Sequence, residues 1–534
     1  MINLFWFVGF PIIVTTILYL LKNELPKTLY IVFQIIFLAY TSYAFNYVRL
    51  YGTVVEILGN YERGVGIALH FDLLSSSFIL LNVFLFTAFL VFNMHKSYVN
   101  KLFLFLFYIL QGLINGIFLS YDLFNIYILM ELSTVVVSIL IMFKKDKQSM
   151  YDGLLYLLTN MVSMTFFLLG VGYLYKMLGS MDLNIIAERI TLLPNQKVLI
   201  LPYALIMTGV CLKSAVMPLF SWLPRAHGTP SAPSIVSAVL SGLYIKASLY
   251  LFIRLQNIFG NVFATNNLFI LLGILTAIIG FVIAISQNDI KLILAYSTVS
   301  QVGLIIIGLN LGNNYGLNGA IYHIFNHAIA KSILFLAAGI MIDHYHTRKI
   351  QNIKGVFKQL PLVSIAAIVA ILSITGAPFI NGSVSKYFIQ KGASDLPYMS
   401  LILNFINWGT ILIMIKFSMV FIGTSTKVKS TVKLNQIIVL FTLATIAILG
   451  GIKSNYFTLS LFDFNSYINP TSYLSKSIIY LAMILVGLFF YKYLYPRLSI
   501  FKKIRNFEFS FNQTILSLAI FFVFLYSYLQ IQFL

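Results

Sequence analysis

Apolar runs of about 20 residues recur along the whole chain, and they constrain its fold more than any other feature. The hydrocarbon core of a bilayer is about 30 Å thick, so a helix rising 1.5 Å per residue needs about 20 apolar residues to cross it. Of the 534 residues, 60% are hydrophobic and 9% are charged, which leaves too little polar surface for a soluble protein. Only helices and closed barrels satisfy their backbone groups in lipid. Because the runs are long and continuous, the sequence predicts an all-α polytopic membrane protein with about 14–16 transmembrane helices.

Hydropathy predicts sixteen spans, and the loops between them are too short to hold a soluble domain. The spans lie near residues 3–22, 28–46, 75–94, 102–120, 122–143, 150–176, 198–219, 233–256, 267–286, 290–311, 316–342, 362–391, 399–424, 436–452, 475–495 and 513–532. Spans 4–8 and 9–13 form two blocks of five helices, and an odd number of helices gives successive blocks opposite orientations in the membrane. We therefore predict two inverted repeats with flanking helices. The predicted segments are 1–100, 101–256 (first repeat), 257–424 (second, inverted repeat) and 425–534.

The basic residues are distributed unevenly between the loops, and this distribution predicts the orientation of the chain. The odd-numbered loops hold 21 Lys and Arg residues, including Lys427 and Lys429, whereas the even-numbered loops hold eight. The eight are Arg49, Arg63, Lys176, Arg189, Lys197, Arg254, Lys453 and Lys476. By the positive-inside rule the odd-numbered loops face the cytoplasm, so both termini lie on the outer side. The net charge of +20 then reflects membrane topology rather than nucleic-acid binding.

A single cysteine limits the chemistry that the chain can carry. Cys211 alone cannot form a disulfide framework, an iron–sulfur cluster or a Cys-rich zinc site. We therefore expect no cofactor, no metal and no redox chemistry within this chain, which leaves open whether it works as part of an enzyme.

Six lysines are left once the basic residues assigned to loops are set aside, and all six fall inside predicted spans, where a lysine at mid-bilayer costs about 2.5–3.5 kcal/mol. They are Lys213, Lys246, Lys331, Lys386, Lys391 and Lys416. Lys391 closes span 12, and its position favours an anchor at the membrane surface. Lys246 lies 13 residues into span 8, which is too deep for its amine to reach the surface. Lys416 lies 17 residues into span 13, nearer the cytoplasmic end, and both are predicted to be functional.

Two of these lysines sit beside helix breakers. Pro218 follows Lys213 by five residues and deprives the carbonyl of Ser214 of its helical partner. The residues that interrupt span 12 ahead of Lys386 are Gly376, Pro378 and Gly382. Unpaired carbonyls at membrane depth are tolerated only against protein or a water-filled cavity. The pattern therefore predicts a titratable amine in a polar site at each break, with a kink that holds a structural ion pair as the alternative.

The remaining deep polar residues belong to spans 5 and 11. Glu131 is the only deep acid of span 5, and a lone carboxylate there either becomes neutral or pairs with a cation. In span 11, His323, His327 and Lys331 are spaced i, i+4 and i+8, so they share one helix face and rise about 12 Å along it. A proton relay accounts for all three residues. Structural hydrogen bonding or a metal held by the two histidines are the alternatives, although Lys331 would repel a metal ion.

At these residues the sequence resembles the antiporter-like, proton-conducting subunits of Mrp-type cation/proton antiporters, with the D-type subunit as the nearest match. Related subunits are L, M and N of NADH-quinone oxidoreductase and those of membrane-bound hydrogenases. The matching stretches surround Glu131 and cover residues 212–227, 231–238 and 322–339. The resemblance implies that Glu131, Lys213 and Lys246 form a first half-channel. It also implies that the polar residues of span 11 and Lys386 form a second.

These observations lead to an expected function. We predict proton translocation, with or without coupled Na⁺, by a multi-pass subunit of a multisubunit complex in the cell membrane of a prokaryote. Protons are expected to pass from the Glu131–Lys213 pair to Lys246, then along span 11 to Lys386, and Lys416 is included as a further titratable residue. The alternatives are a subunit of a complex I-like or hydrogenase assembly, a self-sufficient antiporter, and a membrane-embedded transferase that uses His323 or His327 as its base.

Overall fold

The computed structural model describes residues 2–22, 26–424, 432–505 and 507–533, so the predicted cytoplasmic residues Lys427 and Lys429 lie outside the described part. Within these ranges, fourteen helices are long and apolar enough to cross a membrane. Two shorter apolar helices, Trp6–Leu20 and Pro361–Thr375, lie in the first and twelfth predicted spans. The predicted all-α polytopic architecture is therefore confirmed.

The described chain consists of 23 α-helices and one β-hairpin. The elements up to the middle of the chain are α1 (Trp6–Leu20), α2 (Lys27–Tyr51), β1 (Val54–Ile57), β2 (Ala68–Phe71), α3 (Leu73–Asn93), α4 (Lys101–Leu119), α5 (Leu123–Ile141), α6 (Lys147–Leu178), α7 (Leu183–Thr191), α8 (Ile200–Lys213), α9 (Trp222–Gly228), α10 (Ser234–Val239) and α11 (Ile245–Phe259). The remaining elements are α12 (Asn266–Ser286), α13 (Ile290–Leu309), α14 (Asn314–Tyr345), α15 (Val356–Gln359), α16 (Pro361–Thr375), α17 (Asn381–Gly392), α18 (Met399–Ser418), α19 (Leu434–Ile452), α20 (Ser454–Phe462), α21 (Pro470–Phe489), α22 (Ile500–Arg505) and α23 (Phe511–Ile531).

The helices group into two compact units. Unit 1 comprises Met1–Ser214, Tyr244–Thr265 and Ser510–Leu534, and unit 2 comprises Ala215–Leu243 and Asn266–Phe509. In unit 1, α6 packs along α8, and the C-terminal helix α23 returns to pack against both. These units do not follow the predicted segment boundaries, and the division into two inverted repeats stays a prediction.

In unit 2, α12 and α13 pack along each other through small residues. A Cβ atom on Gly280 would lie 2.5 Å from the backbone nitrogen of Ser300, and one on Gly303 would lie 2.4 Å from that of Ala277. Small residues let helix backbones approach closely, which replaces the hydrophobic driving force that helices lack in lipid. Helix α14 packs against α13, α16 and α17, and α21 packs on α18.

A proline inside α1 shows how a span keeps its backbone satisfied. Pro11 has no N–H, so the carbonyl of Phe7 loses its partner within the helix. The side-chain amide of Asn115 donates to that carbonyl at 2.9 Å, and Asn82 donates to the Asn115 amide oxygen at 2.8 Å. The first predicted span is therefore helical despite its proline.

The 47–74 connection, predicted only as a loop, contains the antiparallel hairpin of β1 and β2. Asp72 follows β2 and caps α3 together with Ser75, since each residue's side chain accepts from the other's backbone N–H. Arg254, predicted to lie in a loop, is instead buried in α11, and its guanidinium lies 2.6 Å from the Asp72 carboxylate. Burial raises the pKa of Asp72. Arg254 and the Ser75 N–H lower this pKa by more than burial raises it, so it lies below its ordinary value.

Candidate functional site

In unit 1, Lys213 is the last residue of α8 and is buried. Its ammonium donates to the hydroxyl of Thr134 and, at 3.5 Å, to that of Tyr244. Glu131 lies one turn before Thr134 on α5 and is partly buried. Among the ion pairs of the described residues, none within 4.0 Å joins Glu131 to Lys213. The structure thus holds Lys213 on hydroxyl acceptors, and the predicted pairing of the two charges stays a prediction.

Tyr244 organises this group of side chains. Its hydroxyl lies 3.2 Å from the Ser133 hydroxyl and 3.3 Å from the Thr134 hydroxyl. A π-helical turn, Leu240–Tyr244, ends at this residue and precedes α11. Such turns insert one extra residue into a helix and occur frequently at functional sites.

Lys246 follows on α11 and is fully buried. Lys213 and Tyr244 line a narrow gap together with Ala247 and Ser248, which directly follow Lys246, and this gap has no room for a water molecule. Lys213 therefore lies near the segment of α11 that carries Lys246.

The chain leaves helical geometry immediately after Lys213. Ala215 has a φ of +55°, Pro218 lies in the turn that follows, and α9 begins only at Trp222. The carbonyls of the last turn of a helix have no partner within the helix, so a lysine at this position is also favoured by the helix dipole. Lys213 thus sits where its positive charge is stabilised.

In unit 2, the three polar residues of α14 are buried together on one face. His323 lies 3.0 Å from the side-chain oxygen of Gln301 through Nε2 and 3.0 Å from the hydroxyl of Ser385 through Nδ1. The Gln301 amide nitrogen donates to Thr410 at 2.9 Å, and this bond orients the amide so that its oxygen faces His323. With the Gln301 amide in this orientation, Nε2 of His323 carries the proton of the neutral ring.

The hydroxyl of Ser385 has two alternative acceptors. It donates to the carbonyl of Gly382 at 3.1 Å, and it can turn to donate to Nδ1 of His323 instead. When His323 is neutral, Nδ1 accepts from Ser385; when His323 is protonated, Nδ1 donates to Ser385 and the hydroxyl turns to Gly382. This arrangement accommodates both protonation states of His323 through rotation of one hydroxyl.

The other two residues of this face are held by neighbouring groups. The ring centroid of His327 lies 6.4 Å from that of His323. Lys331 is fully buried and donates to the Leu294 carbonyl at 2.8 Å and to the Ser297 hydroxyl. The spacing predicted from the sequence therefore gives a continuous buried polar face on α14.

The break in span 12 separates α16 from α17. Gly376 ends α16 with a φ of +84°, and Pro378 lies in the connection. Lys386 on α17 reaches back to the end of α16, where its amine donates to the Ile374 carbonyl at 2.6 Å. It also donates to the side-chain oxygen of Asn407 at 2.7 Å.

Gly382 lies within α17 rather than in the break, and a Cβ there would come within 1.7 Å of the Ser373 carbonyl oxygen.

The last two lysines of the predicted set occupy different surroundings. Lys416 is buried and donates to the Ile285 carbonyl in the last turn of α12 at 2.6 Å and to the Tyr495 hydroxyl at 2.8 Å. The Lys416 amine therefore caps the C-terminal end of α12 and is also a titratable group. Lys391 lies 3.9 Å from the ring centroid of Tyr315, consistent with the predicted anchor.

Several polar residues around Lys213, His323 and Lys386 were not predicted. They are Ser133, Thr134, Tyr244, Gln301, Ser385 and Asn407. Lys291, assigned to a loop from the sequence, is buried in the first turn of α13 and donates to the Ala232 carbonyl at 2.9 Å. These residues could have been found as hydroxyl or amide side chains within apolar spans. The prediction considered only ionisable side chains.

The central part of the chain matches one known protein family. Residues 120–410 match the family described as NADH:quinone oxidoreductase/Mrp antiporter, TM. The chain is 31% identical over 347 residues to the D-type subunit of the Na(+)/H(+) antiporter of Alkalihalophilus pseudofirmus, covering 64% of this chain and 70% of that protein. It is 34% identical over 278 residues to NADH-quinone oxidoreductase subunit N of Desulforudis audaxviator, covering 51% and 55%.

Among solved structures, a chain of the Mrp complex from Dietzia sp. DQ12-45-1b has a similar fold. It superposes with a TM-score of 0.79 at 21% identity, and the match covers 89% of this chain and 99% of that one. The fold is thus shared over nearly the whole length of both chains.

Proposed function

The chain belongs to the NADH:quinone oxidoreductase/Mrp antiporter family, and we propose that it translocates protons across the membrane as one subunit of a multisubunit complex. One observation supports this most strongly. Each unit contains a lysine beside a broken helix, the buried Lys213 next to Pro218 and the partly buried Lys386 behind Pro378, and each amine donates to uncharged oxygen acceptors. Interrupted helices with polar groups at membrane depth are typical of transport sites.

In unit 1, the chemistry starts from the Lys213 ammonium. Uncharged hydroxyl oxygens hold the Lys213 ammonium, which leaves it able to pair with Glu131 when the carboxylate approaches. When the carboxylate approaches, the ammonium form is favoured; when it withdraws, the proton can leave toward Lys246. Glu131 thus acts as a charge switch for Lys213, and the titrations of the groups are coupled.

In unit 2, the proton carriers are the α14 face and Lys386. Ser385 connects them, because it contacts His323 directly and precedes Lys386 in α17. A proton on Lys331 can reach His327, then His323, and then the region of Lys386. The proposed path also includes proton transfer from Lys246 to Lys331, with Lys416 as a further titratable residue.

We infer candidates for the ion exchanged for protons and for the energy source from the relatives. Similarity to the D-type subunit of a Na(+)/H(+) antiporter favours Na⁺ as the coupled ion. Similarity to an NADH-quinone oxidoreductase subunit N favours a redox-driven assembly as the second candidate. Sodium-dependent dissipation of a pH gradient would support the first, and sodium-independent, substrate-driven proton pumping would support the second. In either case we infer a prokaryotic cell membrane with both termini on the outer side.

The proposal is tested by proton flux in inverted vesicles from cells that express the chain with its partner subunits. Lys213→Ala and Glu131→Ala are expected to abolish flux, with membrane insertion unchanged by immunoblot. The matched controls are Lys197→Ala and Glu188→Ala, because both residues are exposed at the protein surface, and they are expected to retain flux. Wild-type flux in Lys213→Ala or Glu131→Ala would refute the assignment.

A further inference from the structure

A polar cleft with a cavity volume of about 60 Å³ opens beside the break between α16 and α17. Two lysines line it, Lys386 and Lys476, and none of the described lining residues is acidic. The polar residues around them are Ser383, Gln390, Asn404, Asn407, Tyr473 and Ser477. Lys386 therefore borders a polar space that contains a second amine, which the sequence analysis assigned to a loop.

Helix α21 forms one wall of this cleft and is fixed to both sides of the break. The hydroxyl of Tyr473 accepts from the Phe379 backbone N–H at 2.9 Å and lies 2.6 Å from the Ser383 hydroxyl. About two turns further along the same helix, the hydroxyl of Tyr480 lies 2.9 Å from that of Thr375. The bond from Phe379 satisfies a backbone N–H in the break, and the two hydroxyl contacts hold α21 against both α16 and α17.

Lys476 lies on the same face of α21, between the two tyrosines. It is six residues beyond Pro470, where the helix begins, which places it about 9 Å along the helix axis. Its amine lies 4.3 Å from the ring centroid of Tyr387 and 3.4 Å from the Tyr387 carbonyl oxygen. Tyr387 is the residue next to Lys386, so the amine of Lys476 is directed at the segment that carries Lys386 rather than away from the protein.

We propose that Lys476 is a proton-transfer residue that exchanges protons between Lys386 and the open end of the cleft. In this step an N–H bond of the Lys386 ammonium breaks, and the proton passes, directly or through a water molecule, to the neutral amine of Lys476. Lys476 becomes an ammonium, Lys386 becomes a neutral amine, and release of the proton to water restores Lys476. No electrons are transferred. The inference depends on the proposed function of Lys386.

Chemical rescue of a cysteine variant tests this role, because the chain has a single native cysteine. Lys476→Cys in a Cys211→Ala background is expected to lower proton flux at least tenfold in vesicles that contain the whole complex. Treatment with 2-aminoethyl methanethiosulfonate attaches a primary amine and is expected to restore most of the flux. Methyl methanethiosulfonate attaches an uncharged methylthio group through a disulfide and is expected to restore none. Lys453→Cys, at an exposed position, is the control and should keep its flux throughout.

A second variant separates proton transfer from a structural positive charge. Lys476→Arg keeps the charge and the contact with Tyr387, but a guanidinium does not release its proton, so flux is expected to fall as far as in Lys476→Cys. Wild-type flux in Lys476→Arg, or equal rescue by both reagents, would overturn the inference. Full flux in Lys476→Cys with none in Lys386→Met would overturn it while leaving the proposed function intact. Full flux in Lys386→Met would instead contradict the proposed function.

Discussion

Among single residues, the amines of Lys213, Lys386 and Lys416 share one solution to the cost of placing a charge in an apolar environment. Lys386 donates to the carbonyl of Ile374 near the end of α16, and Lys416 donates to that of Ile285 near the end of α12. Carbonyls at a helix end carry partial negative charge and have no helical partner. Lys213 uses the hydroxyl of Thr134 instead. Neutral acceptors of this kind stabilise an ammonium while still allowing it to lose a proton.

The contact between Thr134 and Lys213 predicts that proton flux depends on the Thr134 hydroxyl. Thr134→Val keeps the side-chain shape but removes an acceptor from the buried ammonium. Loss of a hydrogen bond to a charged group costs about 1.5–3 kcal/mol, so proton flux is expected to fall by about tenfold or more. Thr442→Val is the matched control, because Thr442 is exposed and its hydroxyl donates to the Ile438 carbonyl of its own helix. Equal flux in the two variants, at equal protein levels, would show that Thr134 does not act on Lys213.

At the scale of elements, the broken helix of unit 2 is held by contacts on several sides. The side-chain amide of Asn326 on α14 donates to the Asn381 carbonyl at 2.9 Å, and the Ser373 hydroxyl donates to the Asn381 side-chain oxygen at 2.6 Å. These bonds tie the start of α17 to both α14 and α16. The close contact requires Gly382, and the break therefore behaves as a packed structural feature rather than as a flexible linker.

The packing at Gly382 predicts a specific loss of stability. Gly382→Ala would place a methyl group 1.7 Å from the Ser373 carbonyl oxygen, which belongs to the backbone and cannot rotate away. We expect the melting temperature of the detergent-solubilised protein to fall by several degrees, with loss of proton flux. Gly172→Ala is the control, because a Cβ at Gly172 meets no atom within 4 Å and alanine favours the helix by about 1 kcal/mol. A melting temperature for Gly382→Ala equal to that of Gly172→Ala would contradict the packing described here.

At the scale of the whole molecule, the sequence predicted the spans better than the surroundings of individual side chains. Hydropathy depends on the local run of apolar residues, so it found each long helix and both short ones. It could not find the contacts between distant segments. Arg254 and Lys476 were assigned to loops because each lies near the end of a span, yet Arg254 pairs with Asp72 and Lys476 lines the cleft beside Lys386. The hairpin of β1 and β2 was missed because its strands are only four residues long.

The candidate site shows the same limit. Glu131, Lys213 and the lysines of unit 2 could be predicted because an isolated charge in an apolar span is conspicuous. Their acceptors could not, because a threonine or serine is common in membrane helices and gives no signal until the fold brings it to an amine. Tyr244 illustrates this, since it contacts Thr134 across 110 residues of sequence.

If the lysine amines beside the helix breaks carry the translocated protons, removing the amine of Lys386 should stop proton flux, and flux in Lys386→Met is the measurement that decides this. Lys391→Met is the matched control, because Lys391 lies on the same helix, five residues further along, and contacts Tyr315 instead of the cleft. In inverted vesicles with equal amounts of assembled protein, we predict no proton flux in Lys386→Met and near-wild-type flux in Lys391→Met. Wild-type flux in Lys386→Met would contradict the account.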